Sequence, residues 1–108
     1  MKPFSLFDRG ERRRANRIPM GVSVLIPIYQ KKIICQDLSD GGCFFKALDL
    51  GPVGKILSIY IDLPEMGLIQ IETRIVHKGE DGLGSGLQFT SIDPEDRKKL
   101  NYFLDLFR

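Results

Sequence analysis

From Ile18 onward, apolar side chains recur at every second position: Ile18, Met20, Val22, Val24, Ile26 and Ile28. A period of two marks a strand with one face on a core. Pro19 and Pro27 occupy alternate positions. Proline removes a ladder donor, so this strand is expected at an edge or interrupted near Pro27. Gln30-Lys31-Lys32 predicts a turn, residues 33–37 a second strand and 43–48 a third, with Ser39-Asp40-Gly41-Gly42 as the turn between them. Residues 55–63 predict a fourth strand, with Leu57, Ile59, Ile61 and Leu63 on one face. Residues 68–78 predict a fifth, with Ile69, Ile71, Thr73 and Ile75 opposite Gln70, Glu72 and Arg74. After the hairpin-length Gly79-Glu80-Asp81-Gly82, residues 84–90 form the sixth.

The period then changes. Leu100, Phe103, Leu104 and Phe107 fall at i, i+3, i+4 and i+7, the stripe of an amphipathic helix. Asp93 suits its N-cap, Pro94 its first position, and Glu95 and Asp96 the positive end of its dipole, so a helix is expected over 93–107. Six short strands and one helix predict an all-β fold, a six-stranded antiparallel β-barrel with a C-terminal α-helix against its open end or an apolar outer face.

With 108 residues the chain makes one domain, large enough to bury a core without cross-links. Charge is distributed unevenly. Residues 1–17 hold Lys2, Arg9, Arg12, Arg13, Arg14 and Arg17 against Asp8 and Glu11, a balance of +4, which leaves −2 for residues 18–108. A basic arm (1–17) on a mildly acidic body (18–108) suggests that the arm meets an anion. Cys35 and Cys43 lack C-x-x-C spacing and His77 is the sole histidine, so no metal site is expected. The start carries no signal-peptide core and no segment is long and apolar enough for membrane insertion, so a cytoplasmic protein with reduced thiols is expected.

Two polar motifs carry the candidate chemistry. Arg13 and Arg17 are spaced R-x-x-x-R; Asp37, Ser39 and Gly42 are spaced D-x-S-x-x-G. In that order, in a small β-rich chain, they resemble the PilZ domain, a bacterial receptor for the second messenger cyclic di-GMP. The segments Arg74-Ile75-Val76-His77 and Gly84-Ser85-Gly86-Leu87-Gln88-Phe89 also look like that family's late strands. The resemblance implies a stand-alone receptor domain that binds cyclic di-GMP through Arg12, Arg13, Arg17, Asp37, Ser39 and Gly42. It implies no catalytic residues and no cofactor beyond the ligand. Arg12, directly before the motif, resembles the arginines that hold two intercalated nucleotides, which implies two ligands per chain.

The residue types suit the ligand. An arginine fork bonds phosphate oxygens or the acceptor edge of guanine, and its flat face stacks on a base. Asp37 can accept from the adjacent donors of guanine, Ser39 can donate or accept, and Gly42 permits positive φ and close approach of a ring. Each motif also has a purely structural reading. Arg13 and Arg17 could pair with Glu11 or Asp40 on the surface, and D-x-S-x-x-G is a sound turn between strands. A tight hairpin at residues 30–32 sets Asp37 opposite Val24 and not Arg17, so convergence of the motifs is implied by the resemblance alone.

Other residues have structural roles. His77 continues the apolar face of the fifth strand and is expected to be partly buried, and nothing around it forms a catalytic unit. Phe44 and Phe45 point to opposite faces, so one is available to a partner. Gly84-Ser85-Gly86 predicts a strand bulge or close backbone approach, not a phosphate loop. The expected function is therefore to bind cyclic di-GMP and relay it to a protein partner as the N-terminal arm orders. The alternative is a PilZ-fold adaptor that binds no nucleotide. A nucleic-acid binder is disfavoured by the acidic balance of residues 18–108, and an enzyme by the lack of a nucleophile–base pair.

Overall fold

A computed structural model of the chain describes residues 17–46, 48–79 and 82–107, with Arg17 and Pro19 described by their backbone alone. Of the expected arm (1–17), Arg17 opens the first strand, and residues 1–16, including Arg12 and Arg13, lie outside the described residues. Six antiparallel strands close into a barrel in the order β1-β2-β3-β6-β5-β4. They are β1 (Arg17–Ile26), β2 (Lys31–Leu38), β3 (Gly42–Phe45), β4 (Ile56–Leu63), β5 (Gly67–Lys78) and β6 (Ser85–Ile92). A 3-10 turn, Pro27–Tyr29, joins β1 to β2, and one helix, α1 (Pro94–Asp105), follows β6.

Alternation places the core as the period of two predicts. Val22, Val24 and Ile26 of β1, Leu57 to Leu63 at odd positions of β4, and Ile69, Ile71 and Ile75 of β5 are buried inside. Thr73 shares that face without cost, because its hydroxyl donates to the Leu57 carbonyl at 2.9 Å. Leu100, Phe103 and Leu104 of α1 belong to the same apolar cluster, so the helix stripe completes the barrel core. Phe107 stands at the margin, partly exposed and edge-on to Phe103 at 5.2 Å between ring centroids.

Several expectations are corrected. The first turn lies at residues 27–30 and not at 30–32: Pro27 opens a 3-10 turn, and Gln30 takes a left-handed conformation, its N–H bonding the Pro27 carbonyl at 3.0 Å. β1 is not an edge, since it pairs with both β2 and β4; of the two expectations for it, interruption near Pro27 is the one met, the strand ending at Ile26. Pro19 is tolerated because pairing with β4 begins only at Ser23, and the β2 ladder has no partner for residues 18–21. Met20 is exposed despite its even position, because the strand is out of regular register there. β3 stops at Phe45 and not at residue 48. Asp93 occupies the N-cap position without a side-chain bond. Its carbonyl accepts the Arg97 N–H at 2.8 Å, while Asp96 takes the N–H of Gln70 at 3.1 Å and ties α1 to β5. The helix ends at Asp105.

Candidate ligand-binding site

The β1–β2 register decides which motif residues meet. Ile26 pairs with Lys31, and the ladder runs regularly to Val22 opposite Cys35. Continued unchanged, it would set Asp37 opposite Met20. Instead Asp37 pairs with Arg17, three residues further back, across a register shift. The expectation that Asp37 faces Val24 is thus overturned, and the last residue of R-x-x-x-R stands beside the first of D-x-S-x-x-G. Gly21 enables the shift with φ of 65°, the left-handed region that glycine enters without steric cost. The Gln36 side-chain amide donates to the Ile18 carbonyl at 3.2 Å and pins the displaced backbone.

The D-x-S-x-x-G turn is rigid by its own bonds. Ser39 is buried; its N–H and hydroxyl both donate to the Gly42 carbonyl, at 2.9 and 3.3 Å, and its Oγ accepts the Gly41 N–H at 3.2 Å. The Gly41 carbonyl accepts the Phe89 N–H at 2.9 Å, and the Asp40 carbonyl accepts from the Arg97 guanidinium of α1. Gly42 opens β3 opposite Gln88 as ladder backbone without the positive φ that glycine permits. The Asp37 carboxylate is half-buried.

Strand order extends this surface across the outer wall. Paired residues share a face, so Asp37, Phe44, Gly86 and His77 form one row over β2, β3, β6 and β5, with the backbone of Arg17 next to Asp37. Phe44 is the outward member of its pair and Phe45 the buried one. His77 is exposed, contrary to expectation, because a register shift between Ile75 and His77 turns it outward. It lies 6.1 Å from the Phe44 ring, above Gly86, where a Cβ would come within 3.1 Å of the His77 Cβ. The close backbone approach expected of Gly84-Ser85-Gly86 is met here. In the next row Gly42 is followed by Gln88 and Arg74, both exposed. Sequence reasoning missed these two; only the β3-β6-β5 order carries them to Gly42.

Beneath the site, Cys35 and Cys43 are free and buried. The Cys35 Sγ lies 3.5 Å from the Asp37 carbonyl and 3.7 Å from that of Phe44. A hydrogen bond with Cys35 and, next, burial push the Cys43 thiol well above its ordinary range, so it stays protonated.

Comparison with known proteins agrees with this architecture. The Bacillus subtilis inhibitor of motility, MotI/DgrA, is similar with a TM-score of 0.66 and 21% identity, over 83% of this chain and 48% of that one. The chain thus spans about half the length of that protein. The PilZ domain of CeSA from a cellulose-synthesizing bacterium is similar with a TM-score of 0.54 and 18% identity, over 86% of this chain and 99% of the other. At these identities the likeness concerns the fold. No curated protein matches the sequence. Among the described residues no helix is long and apolar enough to cross a membrane. The family model for the PilZ domain matches residues 11–106, so the chain belongs to the PilZ domain family, whose members are regulatory receptors and adaptors rather than enzymes.

Proposed function

We propose that this domain is a receptor for cyclic di-GMP and passes the signal to a protein partner through its basic N-terminal arm. The observation that supports the reading is the backbone pairing of Arg17 with Asp37, the last residue of one motif and the first of the other. Arg13 and Arg17 grip phosphate and guanine with their planar forks. Asp37 accepts from the guanine pairing edge. Ser39 acts through the turn it locks, and Gly42 leaves the wall open to a ring. Arg74 and Gln88 extend the polar surface on the far side of Gly42. Arg12 stacks a second nucleotide on the first, giving two ligands per chain.

Closure of the arm that precedes β1 onto the barrel is the readout. The arm's charge balance of +4 favours approach to a doubly anionic ligand, and an ordered arm offers a partner a surface absent before. The test is calorimetric titration of the pure chain with cyclic di-GMP, with GMP as control. Saturable, specific heat is expected. At ligand about 100-fold above the dissociation constant, stabilisation of about 2.7 kcal/mol should accompany it. No heat and no thermal shift would overturn the receptor reading in favour of a PilZ fold that binds no nucleotide.

A further inference from the structure

The peptide at the tip of the D-x-S-x-x-G turn is held at both ends. The Ser39 N–H donates to the Gly42 carbonyl at 2.9 Å, which closes the turn and leaves the Asp40–Gly41 peptide in its middle. The N–H of that peptide, on Gly41, donates to the Ser39 Oγ at 3.2 Å, and its carbonyl, on Asp40, accepts from the Arg97 guanidinium. The next two carbonyls are bound within the barrel: that of Gly41 takes the Phe89 N–H, and that of Gly42 takes Ser39. The middle peptide of a four-residue turn has two opposed orientations, the second of which needs a positive φ at the third residue. Gly41 stands at that position. Its φ is not positive here, yet glycine enters that region without steric cost. Local sterics thus leave both orientations open, and the hydrogen bonds at the two ends choose between them. The flipped peptide would break both.

Arg97 reaches the turn from a firm base. Its own N–H donates to the Asp93 carbonyl at 2.8 Å, in the first turn of α1. Beside it, Asp96 takes the Gln70 N–H of β5 at 3.1 Å. Three residues on, Leu100 is fully buried in the barrel cluster. We propose that Arg97 is a positioning residue for the candidate ligand site: it selects the orientation of the Asp40–Gly41 peptide, and its bond couples α1 to the D-x-S-x-x-G turn. Resting on the cyclic di-GMP reading, this coupling makes α1 a responding element beside the arm. A ligand that favours the observed orientation of the turn strengthens the hold of Arg97, and a firmer hold of Arg97 favours the ligand, because linkage between two sites is reciprocal. α1 then tightens when the site fills.

The test compares the native chain with three variants, by calorimetric titration with cyclic di-GMP and by hydrogen exchange. Arg97→Met keeps the stem and removes the donor. Arg97→Lys restores a donor and the charge. Lys98→Met removes a charge from the exposed neighbour without touching the turn. Arg97→Met should weaken binding about tenfold. Arg97→Lys should recover most of that loss, and Lys98→Met should bind as the native chain does. Saturating ligand should slow exchange at the amides of residues 97–104 in the native chain and leave them unchanged in Arg97→Met. Native affinity in Arg97→Met overturns the proposal, as does an equal loss in Lys98→Met, which would mark diffuse charge as the cause. Exchange in α1 that ignores bound ligand overturns the coupling. Each of these results leaves the receptor reading standing, because the native chain still binds. A native chain that binds no cyclic di-GMP overturns that reading and the coupling with it. The free chain then decides the role of Arg97 in the turn: Arg97→Met should move the Gly41 amide resonance and speed its exchange, and an unmoved resonance overturns that role as well.

Discussion

Gly21 is where a single atom controls the site. A Cβ added there would lie 2.8 Å from Ile34 Cγ2, at a φ that L-residues adopt with strain. Gly21→Ala should cost about 1–3 kcal/mol, read as a lower urea midpoint, and should weaken cyclic di-GMP binding because Gly21 lies in the shift that aligns Arg17 with Asp37. Arg13→Ala and Arg17→Ala should each reduce affinity by two orders of magnitude or so, since each removes charge-assisted bonds of about 1.5–3 kcal/mol. Arg14→Ala should do much less. Calorimetry of the three variants separates a specific grip from diffuse attraction. The thiols test burial directly. With Cys43 held protonated in the core beside Cys35, neither should react with an aromatic disulfide in the native chain, and both should react in denaturant.

Among the elements, α1 contributes both core and site. Leu100 is fully buried in the barrel cluster, so Leu100→Ala should cost about 2–5 kcal/mol, a large part of a domain's total stability. Arg97 has another role. It is partly exposed, yet its guanidinium holds the Asp40 carbonyl of the D-x-S-x-x-G turn. Arg97→Ala should lower stability by only about 1 kcal/mol but loosen that turn, visible as faster hydrogen exchange at the Gly41 and Gly42 amides. Unchanged exchange there would show that the turn stands on Ser39 alone. The strands were legible because one face of each is apolar at period two. Their ends were less so: the 3-10 turn at Pro27 and the early stop of β3 depend on neighbours distant in sequence.

At the scale of the whole molecule, the prediction concerns the arm. Trypsin cleavage at Arg9 to Arg17 should slow when cyclic di-GMP is added, and binding should weaken as salt rises, because phosphate contacts at a surface are screened. Equal cleavage with ligand bound would favour a site already formed. Two ligands per chain are expected from Arg12, and Arg12→Leu should reduce the count to one. An unchanged ratio would remove Arg12 from that role.

What the linear sequence determines here follows from local chemistry. Alternation set the strands and their inner faces, the 3.6 period set the helix, and the polar motifs named residues by type and spacing. Side-chain period and turn chemistry act over a few positions, so these features need no knowledge of the whole. Tertiary structure decided what meets what. The three-residue shift at Gly21 brought Asp37 to Arg17, and the β3-β6-β5 order brought Arg74 and Gln88 to Gly42. A second shift turned His77 outward, and the Ser85 hydroxyl tied Leu48 and Leu50 to the start of β6. Each depends on barrel closure, where a bulge of a few residues in one strand changes every partner beyond it, and no local pattern records how far a ladder slips.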